Sequence, residues 1–190
     1  ACNVPTDEWG LDVVASGSQK GYMIPPGLSF ISVSKKAWDA YETSNLPKFY
    51  LDLKYYKKSL GNNSNPYTPA VNLVFALEES LRMMQEEGLE NIFQRHEKHK
   101  LAVSNAIEAL NLKLFANRRS LSPSITAIES TQIDAEAFRK IIKDKYDILL
   151  AGGQDHLKGK IFRVGHLGYI NNRDIMIAIS AIGLTLLEQK

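Results

Sequence analysis

The stretch SGSQKGYMIPPGLSFISVS, residues 16–34, decides how the first part of the chain folds. Apolar residues run through Leu11–Ala15 before it and through Leu28–Val33 at its end, so we expect two strands around a turn-rich segment. Ser34 is expected to cap a short helix that follows. A single cation, Lys20, therefore lies between two segments whose composition is typical of buried structure.

A lysine in this position allows two interpretations. Held in a dry cleft, its amine can form an imine with a carbonyl compound, because burial lowers the pKa of an amine and makes it nucleophilic near neutral pH. Composition alone favours the simpler interpretation, a surface lysine in a turn between strands.

Bulk composition excludes several classes of protein. The 190 residues are 44% hydrophobic and 23% charged, as in ordinary globular proteins, and the net charge of +2 indicates neither a nucleic-acid nor a membrane partner. The apolar segment Ile175–Leu187 is shorter than the ~20 residues of a membrane span. A single cysteine, Cys2, fits a reducing cytoplasm. The HEKH sequence at residues 96–99 lacks the spacing of a zinc motif, so we expect no metal site and interpret His96 and His99 as part of a solvated or half-buried helix face.

Periodic apolar residues divide the rest of the chain at Gly88. Before it, Thr68 and Pro69 are expected to begin a helix, with Thr68 as its N-cap. After it, the order helix-strand-strand-helix-strand-strand-helix predicts an α+β unit with its own core. Within that unit, Asp134 is expected to cap a helix. Strands are expected at Lys113–Ala116, Ile125–Ile128, Ile148–Ala151 and Ile161–Gly165, and the last of them contains Arg163.

Four segments, in order, carry a resemblance that covers essentially the whole chain. They are SGSQKGYMIPPGLSFISVS, FYLDLKYY, NPYTPAVNLVFALEESLRMMQEEGLENIFQRH and GKIFRVGHLGYINNRD. The first closely resembles the cofactor-lysine segment of class V aminotransferases, which are fold-type I pyridoxal-phosphate enzymes. The similarity is strongest to the alanine– and serine–glyoxylate aminotransferases and to the related soluble hydrogenase small subunit.

The resemblance implies a role for each of four residues. Lys20 would carry pyridoxal 5'-phosphate covalently and act in catalysis, with Gln19 close to the cofactor phosphate. Thr68 would reach the phosphate of the partner subunit in a homodimer. Arg163 would grip the substrate carboxylate through two parallel hydrogen bonds; without the resemblance it could equally be an exposed strand arginine that pairs with an acid.

The resemblance also implies the fold class, α/β, and two domains. Residues 1–87 would be the C-terminal part of the large cofactor-binding domain with its mostly parallel sheet, and residues 88–190 a complete small α+β domain. The acidic partner of the ring nitrogen and much of the phosphate site would lie upstream of this sequence. We therefore expect a C-terminal half that is inactive alone, binds the cofactor weakly and exposes sheet edges and apolar faces.

The implied activity of the full-length protein is transamination between alanine or serine and a 2-oxo acid, with glyoxylate favoured. Two alternatives stay open. One is a class V lyase or desulfurase, which is less favoured because the one cysteine is Cys2. The other is a non-catalytic subunit or interaction protein derived from the family, which the presence of both Lys20 and Arg163 disfavours.

Overall fold

The computed structural model describes residues 1–189, which form two compact units. We call residues 4–86 the first unit, and residues 1–3 together with the chain from Glu87 onward the second unit. The first unit contains a two-stranded sheet and the second a four-stranded sheet.

The first unit is built from one antiparallel strand pair and three helices. Its elements are β1 (Val13–Gly17), β2 (Ser29–Val33), α1 (Lys35–Glu42), α2 (Leu53–Gly61) and α3 (Val71–Glu87). The strands pair from Val13 opposite Val33 to Gly17 opposite Ser29. As predicted, Ser34 caps α1, because its hydroxyl accepts a hydrogen bond from the amide of Ala37 at 3.1 Å.

A buried carboxylate joins α1 to α2. Asp52 caps α2 by accepting from the amide of Lys54 at 3.1 Å, and it also accepts from the Tyr41 hydroxyl at 2.6 Å. This hydrogen bond raises the pKa of Tyr41 to about 12 and lowers the pKa of Asp52. Asp52 therefore stabilises the fold, and its carboxylate is buried.

The second unit follows the predicted order of elements. These are α4 (Leu89–Ala109), β3 (Lys113–Leu114), β4 (Ile125–Glu129), α5 (Ala135–Tyr146), β5 (Ala151–Gly152), β6 (Ile161–Gly165) and α6 (Asn172–Glu188). The strands are all antiparallel and lie in the order β3-β4-β6-β5. Strands β3 and β5 are shorter than the sequence predicts, since the expected pieces were Lys113–Ala116 and Ile148–Ala151.

Backbone signals place the helices of this unit where the sequence predicts them. Gly88 has φ of 83°, a conformation that favours glycine, and it separates α3 from α4. Asp134 caps α5 by accepting from the amides of Glu136 and Ala137 at 2.9 and 3.1 Å. Asn171 caps α6 in a reciprocal capping box with Asp174.

One apolar core holds the second unit together. Phe138 of α5 and Phe162 of β6 are fully buried, and their ring centroids lie 5.3 Å apart. The other buried members of this core are Val103, Ile107, Leu114, Ile128, Ile142, Leu150, Val164, Ile175, Ala181 and Ile182. Burying a side chain of this size is worth about 1.5–3 kcal/mol, so the second unit contains a large stabilising core.

The first unit buries far less. Within the described residues, Ile24 is the one hydrophobic residue that this unit buries, and it remains 9% exposed. Its exposed large apolar residues include Trp9, Val13, Ile31, Leu46, Phe49, Leu51, Leu60 and Phe75. The expectation that this region exposes apolar faces is confirmed. Across residues 1–189, no helix combines the length and apolar character that a membrane crossing requires.

Candidate active site

The loop between β1 and β2 presents Lys20, and a buried serine fixes that loop. Ser18 is fully buried. Its hydroxyl donates to the carbonyl of Pro25 at 2.7 Å and accepts from the amide of Leu28 at 3.2 Å. The Ser18 amide also donates to the carbonyl of Leu28 at 3.0 Å. These three bonds close the loop on itself and leave Lys20 in its turn.

Helix α3 supports the same loop from one side. The Ser80 hydroxyl donates to the carbonyl of Tyr22. Gly27 has φ of 139°, and a Cβ at that position would lie 2.6 Å from Cδ1 of Leu73. A side chain at position 27 would therefore displace the end of the Leu73 side chain, and the positive φ would strain its backbone. No local pattern marks Ser18 or Ser80 beyond their places in the quoted segments.

Lys20 itself is exposed in this chain, as the simpler interpretation of the sequence predicts. Within residues 1–189, its Nζ makes no hydrogen bond and no ion pair. The amine thus lies on a fixed loop, and no protein group among the described residues binds it. This chemistry fits a cofactor that is held through an aldehyde, because such a cofactor requires an amine without another partner.

Gln19 lies beside Lys20 and is also exposed. Its side chain folds back over the end of β1, so that a Cβ on Gly17 would meet the Gln19 Oε1 at 2.8 Å. The amide group therefore lies at the turn after β1, where it can hydrogen-bond to an anion such as a phosphate.

Thr68 does not cap a helix, so that part of the prediction is wrong. Helix α3 begins at Val71, three residues later, and Thr68 is exposed. The residue before it, Tyr67, stacks on Tyr50 with ring centroids 4.3 Å apart, and partial burial raises the pKa of Tyr67. The tyrosine packing fixes this loop and leaves the Thr68 hydroxyl on the surface.

Asp12 is the one acid near β1, and the structure gives it a structural role. It accepts from the Ser34 hydroxyl at 2.8 Å and from Nζ of Lys36 at 2.9 Å. The Lys36 contact, with a smaller effect from Ser34, lowers the pKa of Asp12. These two contacts bind the Asp12 carboxylate into the fold.

Arg163 lies in the second unit, on the inner strand β6. Its partners across the sheet are Ala127 on β4 and Ala151 on β5, whose small side chains leave space around the guanidinium. Arg163 is half-buried, and its Nε donates to the carbonyl of Gly152 at 2.8 Å. The two terminal nitrogens have no partner in the described part of the chain. They form a fork of the kind that binds a carboxylate.

Three histidines of this unit are buried, which sequence reasoning missed. His96 and His99 were interpreted as a solvated or half-buried helix face, but both are buried. His96 donates from Nδ1 to the carbonyl of Ile92 at 2.7 Å and accepts from the amide of Gly168 at 3.2 Å, so it is neutral. Burial lowers the pKa of both, and it lowers the pKa of His166 to about 4.

The apolar pattern of α4 contained a signal for this burial. His96 follows Ile92 by four residues and His99 precedes Val103 by four, so both histidines share the apolar face. Among residues 1–189, no group of three or more candidate metal-ligating side chains lies together. His99 donates from Nε2 to Oδ1 of Asn172 at 3.1 Å.

Comparison with known proteins identifies the family. The family model "Aminotransferase class-V" matches residues 2–168. The chain belongs to the class-V aminotransferases. The soluble hydrogenase small subunit of a Synechococcus strain is 58% identical over 99% of this chain. The serine–glyoxylate aminotransferase of Methylorubrum extorquens is 36% identical over 96% of it.

Solved structures of this family share the fold. The alanine–glyoxylate aminotransferase from Nostoc superposes with a TM-score of 0.89 and 29% identity, covering 97% of this chain and 50% of its own. The predicted fold class and the resemblance to the glyoxylate aminotransferases are confirmed. The chain spans about half the length of the curated relatives it matches, 49% of the Synechococcus subunit and 47% of the Methylorubrum enzyme.

Proposed function

We propose that this chain supplies the cofactor lysine and the substrate-carboxylate arginine of a pyridoxal-phosphate-dependent aminotransferase. The observation that carries the proposal is Lys20, an amine without a protein partner on a loop that Ser18 and Ser80 fix, inside the region that the family model matches. The free fork of Arg163 supports it independently.

Each residue has a part in binding. Lys20 Nζ holds the cofactor through its aldehyde group. The Gln19 amide and the Thr68 hydroxyl bind its phosphate, Thr68 acting on the cofactor of the partner subunit in a homodimer. The terminal nitrogens of Arg163 bind the carboxylate of the amino acid or 2-oxo acid and fix its plane.

The chemistry then divides between the cofactor and the chain. When bound, pyridoxal phosphate supplies the electron sink that lets bonds at the substrate Cα break. The Lys20 amine would take the Cα proton of the bound amino acid and return it at the next step. Arg163 keeps the substrate oriented so that the proton stays within reach of this amine.

We propose alanine or serine as the amino donor and glyoxylate as the acceptor, because related proteins are named for these reactions. Residues 1–87 then belong to a larger cofactor domain, and residues 88–190 form the small domain. Because the curated relatives are about twice as long, the 190-residue chain alone is expected to be inactive. Its single cysteine is consistent with a cytoplasmic protein.

A second candidate function is that of a non-catalytic subunit. The relative that is 58% identical is named as a subunit of a soluble hydrogenase, which favours a role in an assembly. Lys20 and Arg163 argue against it, because an assembly role requires neither a free amine nor a free guanidinium fork.

The test uses the intact natural protein with added pyridoxal phosphate. We expect a cofactor absorption band and transamination of glyoxylate by alanine or serine, with the parallel double-reciprocal lines of a ping-pong mechanism. Lys20→Ala should remove the band and lower kcat by at least about 10²-fold, because it removes the proton-transferring group. Lys58→Ala is the matched control, since Lys58 is also exposed.

Two results would contradict the proposal. One is a band and a rate that survive Lys20→Ala. The other is a wild-type protein that binds no cofactor and transfers no amino group while it still assembles with a second polypeptide, which would favour the subunit function instead.

A further inference from the structure

The strand beside Arg163 is short and lies at the edge of the sheet. Strand β5 contains two residues, and its one neighbour in the sheet is β6. Such a strand receives little support from its own ladder of hydrogen bonds. A side chain from α5 supplies additional support: Nε of Arg139 donates to the carbonyl of Leu150 at 2.8 Å, immediately before β5.

Arg139 also packs against the backbone of β5. A Cβ on Gly152 would lie 2.6 Å from Nη1 of Arg139 and 3.1 Å from Oε1 of Glu136. Glu136 in turn holds Nη1 of Arg139 at 2.8 Å. The guanidinium therefore lies directly over Gly152, in a space that any larger residue at position 152 would fill.

The carbonyl of Gly152 is the group that orients Arg163. Nε of Arg163 donates to this carbonyl at 2.8 Å, so Nε cannot bind a carboxylate together with one terminal nitrogen. The two terminal nitrogens remain for a ligand, so a carboxylate would bind to this pair. The plane in which it is held follows the position of the Gly152 carbonyl.

We propose that Arg139 is a positioning residue for Arg163, acting through the backbone of β5. Arg139 fixes Leu150 and Gly152, and Gly152 fixes the guanidinium that reads the substrate carboxylate. The inference rests on the proposed function, in which Arg163 binds that carboxylate. The ion pair between Arg139 and Glu136 is partly exposed, so its own contribution to stability is small.

The first experiment measures the orientation of Arg163 without any substrate. In the 190-residue chain labelled with ¹⁵N, the Arg163 Nε–H should exchange slowly with solvent, because it is bonded to a carbonyl. Arg139→Lys and Arg139→Ala should each accelerate this exchange severalfold. The control is Arg118→Lys, which alters an arginine of the same unit that pairs with Glu108 and Asn105. Equal exchange in all variants would overturn the inference.

The second experiment measures the consequence for catalysis in the intact natural protein. Arg139→Ala should raise KM for alanine about tenfold and change kcat much less, because misplacing a positioning group weakens substrate binding. It should also reduce the preference for alanine over alaninamide, which lacks the carboxylate. Arg139→Lys keeps the charge but loses the planar guanidinium, so it should also reduce this preference, though less than Arg139→Ala does.

The two proposals fail in different ways. If Arg163→Ala leaves the preference for alanine over alaninamide unchanged, Arg163 does not bind the carboxylate and the proposed function of that residue is wrong. If Arg163→Ala removes the preference while a folded Arg139→Ala retains it in full, the positioning role of Arg139 is wrong. Should Arg139→Ala fail to fold, the exchange rates in Arg139→Lys decide.

Discussion

The two units of the chain differ in how they use their apolar side chains. The second unit buries Phe138, Phe162 and ten other residues in one core, whereas Ile24 is the one hydrophobic residue buried among the described residues of the first unit. The first unit instead exposes side chains such as Phe49, which is 73% accessible. The second unit therefore has an apolar core of its own, and the first unit has almost none.

The proposed site residues divide along the same line. Lys20, Gln19 and Thr68 lie on exposed loops of the first unit. Hydrogen bonds of Ser18 and Ser80 hold the loop of Lys20, and the stacking of Tyr67 on Tyr50 holds the loop of Thr68. Arg163 lies on an inner strand of the second unit, directly beside core residues Phe162 and Val164. The residue proposed to hold the cofactor thus lies in the unit with few buried apolar side chains. The residue proposed to bind the carboxylate lies in the unit with the apolar core.

The largest expected effect compares two phenylalanines. Phe138→Ala should lower the free energy of unfolding of the second unit by about 3–5 kcal/mol, since it removes a fully buried ring and leaves a cavity. Phe49→Ala should change the stability of this chain by less than about 0.5 kcal/mol, because the ring is largely exposed.

Urea unfolding separates the two units. Both tryptophans, Trp9 and Trp38, lie in the first unit, so their fluorescence follows that unit, while far-UV circular dichroism follows the helices of both. Equal losses for Phe138→Ala and Phe49→Ala would show that the contrast in burial has no energetic counterpart.

A smaller expected effect is a loss of folding stability at acidic pH. All four histidines of the chain lie in the second unit, and burial lowers the pKa of His166 to about 4 from an ordinary 6.5. The unfolded chain therefore binds a proton before the folded chain does, so stability is full above pH 6.5 and falls as the pH drops toward 4. The loss from His166 should be about 3 kcal/mol.

The matched variants isolate that loss. His166 bonds to the Thr126 hydroxyl at 2.9 Å and to the carbonyl of Pro123 at 3.1 Å, so His166→Gln removes the titrating group but retains hydrogen-bonding capacity. It should flatten the fall in stability between pH 6.5 and 4. His156→Gln is the control, since His156 is exposed, and it should leave the pH profile of unfolding unchanged. Identical profiles for the two variants would contradict this account.

Local signals made much of the fold predictable. Ser34 and Asp134 are cap residues, Gly88 adopts positive φ between two helices, and β6 has the predicted bounds Ile161–Gly165. Each depends on the chemistry of one residue or on a short apolar run, which a sequence displays directly. The family resemblance added the candidate site residues, because no local pattern distinguishes Lys20 or Arg163 from other cations.

The features that were missed depend on contacts between distant residues. The start of α3 is at Val71 instead of Pro69, and β5 is two residues long, since its edge position and the contact of Arg139 with Leu150 define it. The burial of His96 depends on an amide of Gly168, 72 residues away. Sequence periodicity marks the face on which such a residue lies but does not supply its partner.

The central claim is that the amine of Lys20 holds an aldehyde cofactor. The most direct measurement is borohydride reduction of the intact natural protein loaded with pyridoxal phosphate, followed by digestion and mass spectrometry of the labelled peptide. We expect a single stable pyridoxyl label on Lys20. A label on another lysine, or none on Lys20 in a protein that transfers amino groups, would contradict it.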